Sequence, residues 1–281
     1  MQIQAIASEP GGRSNEDRAG SGGAFAWMLD GVTGITSERL FPEEKSDAIW
    51  FAQNFDHALQ ALAPGKENPL DLLAAALRLV LARADQENPR WRTFPPHLLP
   101  AASLSLVHLG EEETTLLSIG DCINLVREKD GTLRQIGDQR VARHEEESVA
   151  LLTRLQKIRP ALPPAELSAR LRPILSQQRR ERNSARGFWV ADLSERWLPE
   201  LVCTTLATSS LAQILLCTDG LYRLCDVFGH FSQEEFFQRI ARQGVATAIA
   251  LVRQLEDADP DCTRFPRLKP ADDATGLLIS P

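Results

Sequence analysis

The chain has 281 residues, of which 43% are hydrophobic and 25% charged, with a formal net charge of −7. That balance predicts a folded, soluble body and counts against a nucleic-acid partner, whose binders carry a basic excess or patch. Residues 1–10 lack a basic n-region and an apolar h-region, and no apolar run approaches the roughly 20 residues of a membrane span, so a cytoplasmic protein without a membrane partner is expected.

Residues 3–7 are short and apolar and precede the turn Pro10-Gly11-Gly12, and residues 24–29 form a continuous apolar run ended by Asp30-Gly31. Both read as buried strands. Ile49, Ala52, Phe55, Leu59 and Leu62 then recur at helical spacing behind a potential N-cap, Ser46. Asn68-Pro69 opens a second helix with Leu70, Leu73, Leu77 and Leu81 on one face. Strand character returns at 103–109 and 114–119, and the pair 123–126 and 133–136 flanks the turn-like Lys129-Asp130-Gly131. An antiparallel meander is expected there.

Residues 144–186 read as helical and charged, divided at Pro163-Pro164 and interrupted at Pro173. Arg170, Arg172, Arg179, Arg180, Arg182 and Arg186 cluster in this segment, as a solvated helix face or as a positive rim for an anionic substrate. Residues 187–191 and 213–217 read as strands, Ser232 to Glu235 as a capping box opening a helix, residues 245–255 as a further helix, and 276–280 as a closing strand. No tail or appended domain is expected. Grouped strands and grouped helices favour an α+β fold in a single domain spanning 1–281. The cysteines Cys122, Cys203, Cys217, Cys225 and Cys262 are odd in number and lack a CxxC pair, which suits buried free thiols.

Aspartates recur where strands meet turns: Asp30-Gly31, Gly120-Asp121, Thr218-Asp219-Gly220 and Asp272-Asp273, with the acidic pair Glu16-Asp17 between the first two strands. Singly, each is most simply a turn, and Asn15-Glu16-Asp17 is most simply an Asx-turn. Together they imply converging strand ends whose carboxylates repel one another unless they shift their pKa values or bind cations. Oxygen ligands without His or Cys select Mg²⁺ or Mn²⁺ over zinc.

The order Arg13…Asn15-Glu16-Asp17, Asp30-Gly31-Val32-Thr33-Gly34, Gly120-Asp121, Thr218-Asp219-Gly220-Leu221 and Asp272-Asp273-Ala274-Thr275 resembles the metal-dependent protein phosphatases, the type 2C-like enzymes in their bacterial form. The resemblance implies an antiparallel β-sandwich flanked by helices on both faces, in four αββα layers. It implies hydrolysis of phosphoserine and phosphothreonine in a protein substrate by a hydroxide bridging two Mn²⁺ or Mg²⁺ ions, with a third ion in some relatives. It also implies that Asp30 bridges the two ions, the Gly31 carbonyl binds one, and Asp219 and Asp272 hold the other. Glu16 and Asp17 act nearby through metal-bound water, Asp121 serves the third ion, and Arg13 grips the phosphate. A monomer is expected.

The sequence departs from the family pattern in four places. Thr33 stands where many eukaryotic members have histidine, Arg13 is one residue nearer Asp17 than usual, Cys122 replaces a serine, and residues 144–186 match the flap region only loosely. Two rival readings stay open here: a catalytically inactive phosphatase-like binding module, and a metal-dependent phosphohydrolase acting on a small phosphoester.

Overall fold

The computed structural model describes residues 1–34, 38–158 and 164–281. The first half of the chain contains β1 (Gln2–Glu9), β2 (Arg18–Gly22), β3 (Phe25–Gly31), α1 (Asp47–Leu62), α2 (Pro69–Glu87), β4 (Ala101–Leu109), β5 (Glu113–Ile119), β6 (Ile123–Glu128) and β7 (Leu133–Ile136). The second half contains α3 (Arg140–Ile158), α4 (Pro164–Glu181), β8 (Ala191–Asp192), β9 (Val202–Ala207), β10 (Leu211–Cys217), α5 (Asp219–Tyr222), α6 (Gln233–Gln243), α7 (Val245–Asp257) and β11 (Ala274–Ser280).

Two antiparallel sheets result. One runs β1-β11-β10-β6-β7, the other β2-β3-β4-β5-β9 with β8 paired to β4. In β3, Ala26 and Met28 point between the sheets toward Leu216 and Leu277, while Phe25, Trp27 and Leu29 point out into the core shared with α1 and α2. A strand buried on both faces has no polar side to show, which is why residues 24–29 read as an unbroken apolar run. On the far side, Leu215, Cys217 and Leu278 meet Ile249 and Val252 of α7. The four layers are therefore helix, sheet, sheet, helix: the expected α+β sandwich.

Caps act where the sequence placed them. Ser46 Oγ accepts from Ile49 N, Asn68 accepts from Leu70 N and Asp71 N, and Ser232 with Glu235 closes a capping box. Other expectations need correction. β1 is an edge strand that exposes Ile3 and Ile6 while Ala5 and Ala7 pack inward. The buried face of α2 is Leu72, Leu73, Ala76, Leu77, Val80 and Ala84, which turns Leu70 to solvent. α4 runs on through Pro173. Strands β2 and β9 add to the expected elements, and the strand expected at 187–191 is only β8. The break expected at Pro163-Pro164 borders residues 159–163, which lie outside the described residues. None of the five cysteines forms a disulfide among the described residues, and Cys203 is exposed and Cys225 half-buried rather than buried.

The α2 correction has a measurable consequence. Leu73→Ala empties a fully buried position and lowers unfolding stability by roughly 2–5 kcal/mol, whereas Leu70→Ala stays within about 0.5 kcal/mol. Urea denaturation of the two variants checks this.

Candidate metal centre

The antiparallel topology gathers the aspartates at one end of the sandwich. β2 begins and β3 ends there, with Arg18 opposite Leu29, so Asp17 and Asp30 become cross-strand neighbours. Asp30 lies opposite Ser103 on β4, and the Ser103 hydroxyl donates to Asp121 where the chain leaves β5 for the other sheet. β10 ends and β11 begins at the same end, where Cys217 faces Gly276, bringing Asp219 beside Asp272 and Asp273. Thr218 Oγ1 donates to Asp17 Oδ2 at 3.0 Å and ties the two sheets together.

Two motif glycines permit this crowding. A Cβ on Gly31 would lie 2.7 Å from both the Cβ and the carbonyl oxygen of Glu16, and one on Gly220 would overlap the Asp273 carbonyl. Asp30-Gly31 and Asp219-Gly220 are thus close-approach sites rather than simple turns.

The carboxylates feel one another. Burial first, then Asp17, Asp219, Asp121 and Asp272, push Asp30 well above the usual carboxylate range. Asp17 is likewise raised, by burial and by Asp273 and Asp219, against hydroxyl donation from Thr275 and Thr218. Burial raises Asp121 too, with Asp272 adding to it and Ser103 opposing. Asp219 is raised to about 7 by burial, Asp272 and Asp121, against Arg223 and Lys269. Asp17 is buried while Asp30, Asp121, Asp219 and Asp272 are half-buried, so the cluster opens on one side to solvent.

An oxygen-only set with this mutual repulsion fits hard divalent cations. Among the described residues, however, no three His, Cys, Asp or Glu side chains stand in the geometry of an ion site. Several are turned toward protein donors. Asp273 accepts from Gly11 N and Glu16 N at 2.8 and 2.6 Å. Glu16 accepts from Thr33 Oγ1 and Ser46 Oγ, both at 2.6 Å. Asp272 accepts from Arg223 Nη2 at 2.8 Å and Lys269 Nζ at 3.0 Å.

The structure therefore brings Glu16, Asp17, Asp30, Gly31, Asp121, Asp219 and Asp272 to one place. Arg13 stands apart, exposed and without a side-chain hydrogen bond among the described residues. Asn15 does form the Asx-turn, accepting from Asp17 N at 2.9 Å. Of the arginine cluster, Arg180 and Arg186 are exposed, and Arg170 pairs along the helix with Glu166. Arg182 is buried and donates to the carbonyls of Pro96 and Leu99. Arg179 is the member that reaches the centre. It donates to the Thr33 carbonyl at 3.0 Å and lines a cleft of about 180 Å³ with Glu16, Thr33, Lys45 and Ser46. Burial and Arg182 lower its pKa to about 10, against Glu16 and Asp121, so it stays charged at neutral pH.

No role for Asp273, Arg223 or Lys269 follows from the sequence alone. The available signal was their spacing, since each lies within four residues of an acidic motif already singled out.

A sequence model of the family described as protein phosphatase 2C matches residues 11–257. No curated protein matches the chain by sequence. Among solved structures, it is similar to the Mycobacterium tuberculosis serine/threonine phosphatase PstP/Ppp, with 20% identity and a TM-score of 0.54 over 98% of this chain and 96% of that one. PstP has also been crystallised with two manganese ions; that structure matches at 17% identity and a TM-score of 0.54, over 98% and 95% of the two chains. PppA of Pseudomonas aeruginosa matches at 16% identity and a TM-score of 0.57, over 98% and 96%. At these identities the likeness establishes the fold alone.

The charge crowding predicts an unusual pH dependence. Asp219 titrates near 7 in the folded chain against 3.8 for an ordinary aspartate, so between these values the folded state holds a proton that the unfolded state has lost. Asp17, Asp30 and Asp121 shift in the same direction. In chelator, stability therefore falls as pH rises from about 4 to about 7, and the unfolding temperature is higher at pH 5.5 than at pH 7.5. Differential scanning calorimetry checks the sign.

Proposed function

The chain belongs to the protein phosphatase 2C family, and on that premise we propose that it hydrolyses phosphoserine and phosphothreonine monoesters of a protein substrate with divalent cations held by its acidic centre. The observation that carries this proposal is the convergence of Asp17, Asp30, Asp121, Asp219 and Asp272, drawn from distant parts of the chain, at one half-open end of the sandwich. Asp17, Asp30, Asp219, the Gly31 carbonyl and Asp272 would hold two ions, with Asp121 serving a third. Bound there, Mn²⁺ or Mg²⁺ would activate water and neutralise phosphoryl oxygens. The odd, scattered cysteines without a CxxC pair support a reducing, cytoplasmic setting.

The chain's own groups prepare the reaction. Thr218 and Thr275 hydroxyls orient Asp17. Ser46 and Thr33 fix the Glu16 carboxylate at the mouth of the adjoining cleft, where it can accept a proton from an entering water. Arg179 presents a guanidinium to the same cleft and supplies the donor fork that the exposed Arg13 was expected to give. One observation favours the inactive-module alternative: both oxygens of Asp272 already hold protein cations.

A phosphopeptide and an aryl phosphate, each assayed with Mn²⁺ and with chelator, test the proposal. Turnover that requires the metal is expected, and Asp30→Asn lowers kcat/KM by more than about 100-fold while the fold is retained. Absence of turnover in the metal-loaded wild type selects the inactive module. For phosphate gripping, Arg179→Ala raises KM by an amount equivalent to roughly 1.5–3 kcal/mol, and Arg13→Ala leaves it near the wild-type value. Steady-state kinetics with the phosphopeptide distinguishes the two arginines.

A further inference from the structure

Within the acidic centre, Asp272 differs from its neighbours among the described residues because two cations of the chain hold it, one on each oxygen. The two cations are not alike. Arg223 is buried, and its other nitrogen is locked to Glu256 Oε1 at 2.8 Å, itself a buried residue that also accepts from Arg253 and from Asp272 N. That guanidinium is part of the frame. Lys269 is different: its side chain is 47% exposed, and its ammonium reaches in from the solvent side to Asp272 Oδ1 and Thr33 Oγ1.

Through Thr33 the ammonium also adjoins Glu16, because the Thr33 hydroxyl that accepts from Lys269 donates to Glu16 Oε2. It therefore spans the open side of the cluster, from Asp272 across to the β3 end. A lysine ammonium is a compact positive charge with three donors on a flexible stem. Its charge lies against Asp272 and near enough to Asp219 and Asp30 to feel both, and its stem is half exposed to solvent.

We propose that Lys269 is an internal cation of the acidic centre, occupying the Asp272 side in place of a divalent ion, so that one ion binds tightly through Asp17, Asp30 and Asp219 and a further ion enters at Asp272 only when the ammonium swings out. This inference rests on the reading that the centre binds divalent cations. It makes Lys269 a positioning residue that sets how much metal the chain requires.

Titration of Mn²⁺ into the chelator-stripped full chain, followed by calorimetry, tests it. The wild type shows one tight event and one weaker by at least about tenfold. Lys269→Met keeps the stem and removes the charge, and it tightens the weaker event by about tenfold while changing the tight one less. Lys269→Arg retains a positive charge and returns the isotherm toward wild type. Lys45→Met removes a unit charge beside the same cleft without touching Asp272, and leaves the weaker event unchanged. Unfolding temperatures give a second readout: stripped Lys269→Met melts below the stripped wild type, and Mn²⁺ raises it by more degrees. Superimposable isotherms for the wild type and Lys269→Met, equal tightening in Lys45→Met, or equal Mn²⁺-induced rises in unfolding temperature would overturn the inference. No Mn²⁺ binding to either the wild type or Lys269→Met would overturn the underlying reading as well, which separates the two failures.

Discussion

Like charges held close together in a partly desolvated place are the constraint on which the rest of this structure depends. At 4 Å and an effective dielectric constant near 20, two carboxylates repel by about 4 kcal/mol, and this centre gathers five aspartates, four of which are pushed upward by burial and by their acidic neighbours. The chain relieves that repulsion in three ways. Some carboxylates are raised into the range where they hold protons. Others accept from hydroxyls and backbone amides, as Glu16 and Asp273 do. Among the described residues of the centre, Asp272 alone is met by protein cations on both oxygens.

The sandwich creates this crowding as a consequence of its topology. In an antiparallel pair one strand's start lies beside the other's end, so β2 with β3 and β10 with β11 each deliver two chain segments to the same edge. Asp121 joins them where the chain crosses from one sheet to the other between β5 and β6. The apolar cost of building that end is carried by strands buried on both faces, such as β3 and β10, whose side chains alternate between the inter-sheet core and a helix layer. Repulsion at the edge is tolerated because it is small beside that burial, with each large apolar side chain contributing roughly 1.5–3 kcal/mol.

Where the sequence is legible, a local physical rule coincides with the tertiary outcome. The unbroken run before Asp30 reads as a buried strand, and Ser46, Asn68 and Ser232 each satisfy orphan amides within their own first turn. The recurring aspartates were legible because strand ends must converge if the strands pair. What escaped is what tertiary contact alone decides. β2, Arg-Ala-Gly-Ser-Gly, has no apolar pattern and becomes a strand because β3 offers it a ladder. Nothing local distinguishes Arg179 from Arg180; one faces the cleft and the other solvent because α4 docks at that rotation. Leu70 fits a helical repeat with Leu73 and Leu77 but lies on its edge, and the small residues Ala76 and Ala84 carry the contact instead.

The segment that carries Lys269 and Asp272 joins α7 to β11 without helix or strand of its own, yet the centre depends on its position. It is ordered by polar groups turned inward. Asp259 accepts from the amides of Thr263, Arg264 and Phe265 and pairs with buried Arg267 at 2.7 Å. Arg267 in turn donates to the carbonyls of Phe265, Asp259 and Pro270 and lies over the Phe228 ring. A loop built this way has few apolar contacts to spare, so its geometry rests on a network in which each member satisfies another, and losing one partner leaves a buried charge unpaired. Arg223 extends the same network from Glu256 on α7 to Asp272 itself. The end of α7, the loop and the acidic centre are therefore one electrostatic unit, in which Glu256 on α7 is linked to Asp272 through Arg223.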